Sequence, residues 1–493
     1  YFEAERRTTV EEGASNTVAL RLEREPVIET LTIRPTPADA EVLINGEPAG
    51  SGVVRRDFEA GTEVSVLVRA EGYFEAERRT TVEEGASNTV ALRLEREPVF
   101  RTITITAEPA DAVITVDGVD AGRGSASFER QTETDVDIVV SRRAYRDERL
   151  VVTVLESSPS RYEFALDPQP IVGDVQVSES GFVRGGAAGS GAVYYADRNG
   201  TLFGVSETGE VLWSISTNNR PNENSLPVYS NGRVFFSGGQ EFLVVDAADG
   251  TVQLRESVAS NAAHLFGRRV LPTRDSFLYP TNTALVVRQL PDGGELRRIS
   301  ISGGSTMAPA LSDSGVVIGT DRGDVVVVNP DTGAIETTVS TSAVQPVAHA
   351  PAVYQNTAYL VGRRGLLVAV DLSAGGVAWS YRLPVGTFVD PVVGPSGVYV
   401  LAGSSLVALS HDGEELFPSM AGVTAAPLYL GENLFVPFAD GRLVRFDPSR
   451  GTERGQVILP SAAATQPVAV GDILAIGTED GRVLFVDPEG MVR

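Results

Sequence analysis

The chain has 493 residues, 42% apolar and 22% charged, with a formal net charge of −24 and a pI near 4.6. That balance lacks the clustered cations on which nucleic-acid affinity depends and disfavours anionic membrane surfaces, while cationic partners, divalent ions or a salty milieu stay compatible; no apolar run approaches the ~18–20 residues of a membrane span. All 41 basic residues are arginine, and the absence of cysteine excludes disulfides, cysteine-ligated iron–sulfur sites and thiol catalysis.

The chain opens on a perfect repeat. Tyr1–Val27 recurs letter for letter as Tyr73–Val99, an offset of 72. The expectation is a fragment that begins in the second half of a module, with at least one more module and any export signal upstream. Two complete copies follow, 28–99 and 100–170, in which Leu31–Gly46 aligns with Ile103–Gly118. The apolar, partly β-branched runs Val42–Ile44 and Val113–Val116 read as strands, and Asn45-Gly46 and Asp117-Gly118 as tight hairpin turns. Further strands are expected at 63–69, 80–82 and 89–94, with counterparts at 135–140, 150–154 and 161–166. Gly50-Ser-Gly52 and Gly122-Arg-Gly124 are expected in a central loop. Each module thus predicts a small all-β sandwich.

Pro37-Ala-Asp-Ala40 and Pro109-Ala-Asp-Ala112, each after a first strand and before an Asn/Asp-Gly turn, resemble the PEGA domain motif, with Ala-Asp in place of Glu-Gly. The resemblance implies tandem envelope or surface-layer modules of bacteria and archaea, with no enzymatic activity. A short, Pro-stiffened linker, Asp167-Pro-Gln-Pro170, leads onward.

From there one phrase repeats: apolar strand, polar turn, apolar strand, Asp/Gly turn, more polar strand. The clearest copy is 315–333, and others lie at 192–209, 232–250, 356–376, 397–413, 433–451 and 472–490, with a degenerate one at 276–294. Runs such as Val325–Val328 and Leu366–Val370 predict strands covered on both faces. Asp246, Asn329, Asp371, Asp447 and Asp487 suit Asx-turns, and Glu336–Val339 reads as an outer edge strand. Many units start on a small or polar residue, Pro and an apolar residue, as at Ala308-Pro309-Ala310 and Asp390-Pro391-Val392; Leu226-Pro227-Val228 departs at its first position. Units begin near 187, 222, 262, 305, 343, 386, 422 and 463, roughly 40 residues apart, which predicts an eight-bladed β-propeller, or seven blades if the weak third unit is absorbed. Val175–Ser178 is placed to pair with the last unit and close the ring.

The segment Gly365–Asp371, followed by Gly375, Gly376 and Trp379, and the segment Gly209–Trp213 resemble the pyrroloquinoline-quinone (PQQ)-like propeller repeat, over about 320 residues. That family includes quinone enzymes and also non-enzymatic scaffolds, among them a lipoprotein of the outer-membrane β-barrel assembly machinery. A quinoprotein dehydrogenase would need Ca²⁺ held by carboxylates and amides, an Arg over the quinone and often a vicinal disulfide. This chain has no cysteine, and two of eight units keep the tryptophan.

Other motifs have plain alternatives. His264, His349 and His411 fall in separate units without metal-ligand spacing. Asp321-Arg-Gly-Asp324 is an adhesion tripeptide in form, but its slot in other units holds similar Asp-Gly turns. Asn199-Gly-Thr201 is a formal glycosylation sequon and also the expected turn. The acidic stretch Glu3–Glu12 reads as solvated strand faces, and the basic groups Arg268-Arg269, Arg363-Arg364 and Ser141–Arg146 read as contact points or as balance for local acids.

The expected organisation is all-β: the C-terminal part of a PEGA module (1–27), PEGA modules (28–99 and 100–170) and a PQQ-like propeller (171–493). The leading functional expectation is a non-catalytic bacterial envelope scaffold, extracytoplasmic in the periplasm or at the cell surface. In it the modules act as spacer or anchor and the propeller docks an envelope protein or polysaccharide. Nucleic acid, membrane insertion and a cofactor are not expected, no catalytic or metal residue is assigned, and oligomeric state stays open. The alternatives are a PQQ/Ca-dependent dehydrogenase-like enzyme and a surface adhesin or glycan-binding protein.

Overall fold

The computed structural model describes residues 2–492 apart from 11, 13–14, 16, 22–23, 218–225, 239–240, 258–269, 306, 342–346, 348 and 388. Among the described residues the chain is all-β, with no α-helix. It divides into two compact units, one of 1–106, 114–139 and 149–163, the other of 107–113, 140–148 and 164–493.

In the first unit, 28–99 forms two facing sheets. One orders its strands Val54–Glu59, Ile28–Thr36, Thr89–Arg93; the other Glu47–Ser51, Glu41–Ile44, Glu63–Arg69, Ala76–Thr81. Inward residues at every second position, among them Leu31, Ile33, Val42, Ile44, Val64, Val66 and Val68, make the core between them. The hairpin turn explains its own letters. Asn45 and Gly46 both have positive φ (52° and 86°), as do Asp117 and Gly118 (52° and 77°). The Asn45 side chain accepts from Ser65 N at 2.8 Å, and Asp117 from Asp137 N at 2.9 Å. In the PEGA-like motif the last alanine is the buried one: Ala40 and Ala112 are almost fully covered, and their amides bond back to Pro37 O and Pro109 O. The Gly50–Gly52 and Gly122–Gly124 positions differ from the expected loop. Gly50 and Gly122 lie within strands, Glu47–Ser51 and Val119–Arg123, at the corner where the chain passes to the other sheet. There Gly52 N bonds Ala40 O at 2.9 Å.

The identical segments behave differently. In 73–99 the strands Ala76–Thr81 and Thr89–Arg93 pair with Glu63–Val68 and Thr32–Thr36. The described residues of 2–27 form no strand. Val82 is 0% exposed but Val10, its equivalent, is 73% exposed. The difference is the neighbour, since a strand is held by cross-strand pairing and burial rather than by its letters alone. One contact does recur with the repeat: Arg24 meets Glu84 at 2.5 Å and Arg96 meets Glu156 at 3.9 Å, the same two positions 72 residues on.

In the second unit, eight four-stranded antiparallel sheets follow one another among the described residues. They span 182–216, 228–257, 271–300, 310–340, 352–382, 392–421, 428–458 and 468–486, the last completed by Ile171–Gln176. The degenerate copy at 276–294 forms its sheet like the others. Val325–Val328 and Leu367–Val370 are wholly buried, as consecutive apolar residues require when neighbours cover both faces. Apolar clusters sit between successive sheets, for example Tyr194, Trp213 and Phe236 between the first two. The first strand of the first sheet neighbours the first strand of the last, which makes a ring. Closure comes from Ile171–Gln176, paired antiparallel to Arg482–Val486 and beginning a little before the expected Val175. Arg482 Nε bonds Asp174 Oδ1 across that pair at 2.6 Å.

Candidate functional site

A ring of four-stranded meanders has two unlike sides. Turns joining the first to the second and the third to the fourth strand of each sheet gather on one, the turn side. The second-to-third turns and the crossovers between sheets gather on the other.

On the turn side the repeated Asp or Asn holds its own turn. Asp246 Oδ1 accepts from Ala248 N, and Asn329 Oδ1 from Asp331 N and Thr332 N, all at 3.0 Å. Asp371 does the same for Ser373 N and Ala374 N, and Asp487 for Glu489 N. Asp447 accepts from the Ser449 hydroxyl and amide, the Arg450 amide and Arg454, and these bonds hold its carboxyl down at about 2. Both tryptophans dock on the next sheet's turn: Trp213 Nε1 donates to Ala247 O at 3.0 Å, and Trp379 Nε1 to His411 O at 2.6 Å. Tyr399 OH does likewise to Pro448 O at 2.8 Å. Burial pushes the Tyr194 and Tyr359 phenols up to about 12, outside the range of proton transfer near neutrality. These side chains hold sheet to sheet; none is aimed at an open site.

The other singled-out residues are also occupied. His411 Nε2–H donates to Gly394 O at 3.0 Å, its Nδ1 accepts from Tyr359 OH at 2.6 Å, and its ring stacks on Tyr354. His349 lies on the crossover side against Thr387 O at 3.0 Å and Asp390, and burial lowers its pKa. His264 and Arg268-Arg269 lie outside the described residues. In Asp321–Asp324 the glycine is buried, and the turn is tied by Thr320 Oγ1 to Asp324 N and by the Thr341 hydroxyl to Gly323 O. Asn199-Gly-Thr201 wraps the buried Asp197, which accepts from both Asn199 N and Thr201 N. Arg363 and Arg364 are exposed in a second-to-third turn.

Asp197, bonded to Ser178 Oγ at 2.8 Å, was not singled out by the sequence reading. Neither was the charge division between the two sides. Seven of the eight sheets place at least one carboxylate in their turn-side turns, and the sheet 352–382 ends its third strand there on Asp371, whereas Arg274 and Arg450 are the arginines in those turns among the described residues. The opposite side mixes Arg198, Arg322, Arg363 and Arg364 with its acids. The signal was available in the register of the repeat, had charge been counted turn by turn.

Quinone chemistry calls for a Ca²⁺ cradle. No group of three or more His, Asp or Glu side chains able to hold a metal ion occurs among the described residues, and the carboxylates best ordered here already bind amides or arginines. The described residues do not fit the group. In the first unit an open groove is lined by Pro37, Tyr73, Arg93, Leu94 and Arg96.

The comparisons agree with this architecture. A PEGA domain matches residues 28–98, and the family described as outer membrane protein assembly factor BamB matches 164–344 and 321–487. The chain is 26% identical over 333 residues to the outer membrane protein assembly factors BamB of Shigella dysenteriae serotype 1 (strain Sd197) and Escherichia coli (strain K12), covering 61% of this chain and 83% of each relative. The crystal structure of BamB from Moraxella catarrhalis superposes with a TM-score of 0.51 at 16% identity, over 64% of this chain and 97% of that one. The computationally designed Ika8 protein gives 0.53 at 15% identity, over 64% and 99%. These likenesses show the fold. The chain belongs to the PQQ-like propeller family described as outer membrane protein assembly factor BamB, here carrying a PEGA domain.

Proposed function

We propose that this chain is a non-catalytic scaffold of the bacterial cell envelope. The PEGA modules, 28–99 and 100–170, serve as spacer or anchor, and the propeller from 171 onward docks a protein of the outer-membrane assembly apparatus on the extracytoplasmic side. The observation that carries this reading is how the propeller spends its polar side chains. The repeated Asp, Asn, Trp, Tyr and His groups close turns and join sheets, leaving a rigid ring with exposed turns on both sides. The relatives named as outer membrane protein assembly factors support that choice of partner. The recurring Arg24–Glu84 and Arg96–Glu156 contacts support a spacer whose joints repeat with its modules.

The test is direct binding between the purified chain and the β-barrel assembly protein of its own bacterium. Saturable binding at micromolar or tighter affinity is expected. No binding by calorimetry at tens of micromolar would overturn the proposal.

A further inference from the structure

The basic turn Ser141–Arg146 shows what the acidic side of the propeller accepts. Within the second unit it is seated on the last sheet. Arg143 Nε meets Asp487 Oδ2 at 2.5 Å, and its Nη1 meets Asp472 Oδ2 at 3.2 Å. Arg142 lies over the Tyr145 ring at 4.7 Å and reaches Glu489 O at 3.4 Å. Backbone fits backbone there: Asp487 N donates to Pro170 O at 2.7 Å, and a Cβ on Gly490 would fall 2.9 Å from the Ala144 Cβ. A guanidinium is suited to this seat, because its fan of donors spans two carboxylates that a point charge would engage singly.

Asp472 and Asp487 are the last sheet's version of a repeated arrangement. One acid lies on the first-to-second turn and another on the third-to-fourth turn, both on the same side. The same two turns carry acids on other sheets, Asp275 with Asp292, Asp313 with Asp331, and Glu432 with Asp447; counted from the end of the third strand, Asp447 matches Asp487, whereas Asp292 and Asp331 match Glu489. Asp292, Asp313, Asp331 and Glu432 are solvent-exposed.

We propose that the turn side of the propeller is a docking surface for arginine-bearing turns of an envelope protein, each seated between paired turn carboxylates as Ser141–Arg146 is. This rests on the scaffold reading and narrows it to one side of the ring and one partner chemistry.

The experiment titrates the full chain into a labelled peptide of residues 140–146, Val-Ser-Arg-Arg-Ala-Tyr-Arg, at low and at high salt. Fluorescence anisotropy should report saturable binding that weakens as salt screens the pairs. The triple variant Asp292→Asn/Asp313→Asn/Asp331→Asn should lose roughly five-fold in apparent affinity, from exposed pairs at a few tenths of a kcal/mol each. The charge-matched variant Glu179→Gln/Glu479→Gln/Asp480→Asn, on the opposite side, should change it little. Arg143→Ala, which vacates the seat at Asp472 and Asp487, should add a binding site. No saturable binding, or equal weakening by the two charge-matched variants, would overturn the proposal. Barrel-protein binding that persists in the turn-side variant would refute this surface and leave the scaffold standing.

Discussion

Trp213 tests how the sheets are held together. Its side chain is 8% exposed, and its ring stacks at 5.8 Å on Tyr194. Its Nε1–H reaches Ala247 O on the next sheet. Trp213→Ala removes the ring from a site walled by two sheets, a change that costs about 3–5 kcal/mol. Trp213→Phe keeps most of the apolar contact but removes the donor. Ala247 O still receives Tyr194 OH at 3.3 Å, so that variant should lose about 1–2 kcal/mol. Gly204 stands opposite Trp213 in the strand pair, and a Cβ there would fall 2.5 Å from the ring. Gly204→Ala should therefore cost about 1–3 kcal/mol by overpacking. Urea unfolding is followed by far-UV circular dichroism and by Trp379 emission, since the chain has two tryptophans and the first substitution leaves one. A cost below about 1 kcal/mol for Trp213→Ala, or equal costs for the Ala and Phe variants, would refute the docking argument.

Val82→Ala and Val10→Ala make the same change within identical 27-residue surroundings. The first should cost about 1–3 kcal/mol and the second less than about 0.5, read by hydrogen exchange of the strand Glu63–Arg69. Arg143→Ala leaves Asp487, whose side chain is 3% exposed, without its cation. A loss of about 1–3 kcal/mol is expected in urea unfolding, larger than for Arg161→Ala at the exposed pair with Glu163. Burial lowers the pKa of His349 in the folded state below 6.5, so the unfolded chain binds the proton more readily. That stabilisation is complete above 6.5 and fades as pH falls below it; thermal melts of His349→Gln should show a shallower acid slope than the parent.

Much of this fold was legible because the repeat writes the same physics many times over. Asn45-Gly46 and Asp117-Gly118 specify a turn with two positive φ values, and Asp246, Asn329, Asp371, Asp447 and Asp487 each close one turn with a side-chain oxygen. What local letters do not carry is the neighbour. Tyr1–Val27 and Tyr73–Val99 are identical, yet the described part of the first forms no strand while the second forms two. Tyr194, Tyr359 and Tyr399 take their hydrogen-bond partners from the next sheet, which the letters of their own strands do not carry. Asp197 is buried and takes the Ser178 hydroxyl from outside its sheet, a partner that its own turn does not reveal. The seat of Arg143 joins positions more than 300 residues apart, which no local pattern reveals.

The central claim is that the chain assists outer-membrane protein assembly without catalysing a reaction. Its most direct test is the level of folded, heat-modifiable β-barrel protein in the outer membrane of the source bacterium after the gene is deleted, and again after the intact chain is restored. The account predicts a several-fold fall on deletion and recovery on restoration. Barrel levels unchanged by deletion would contradict it.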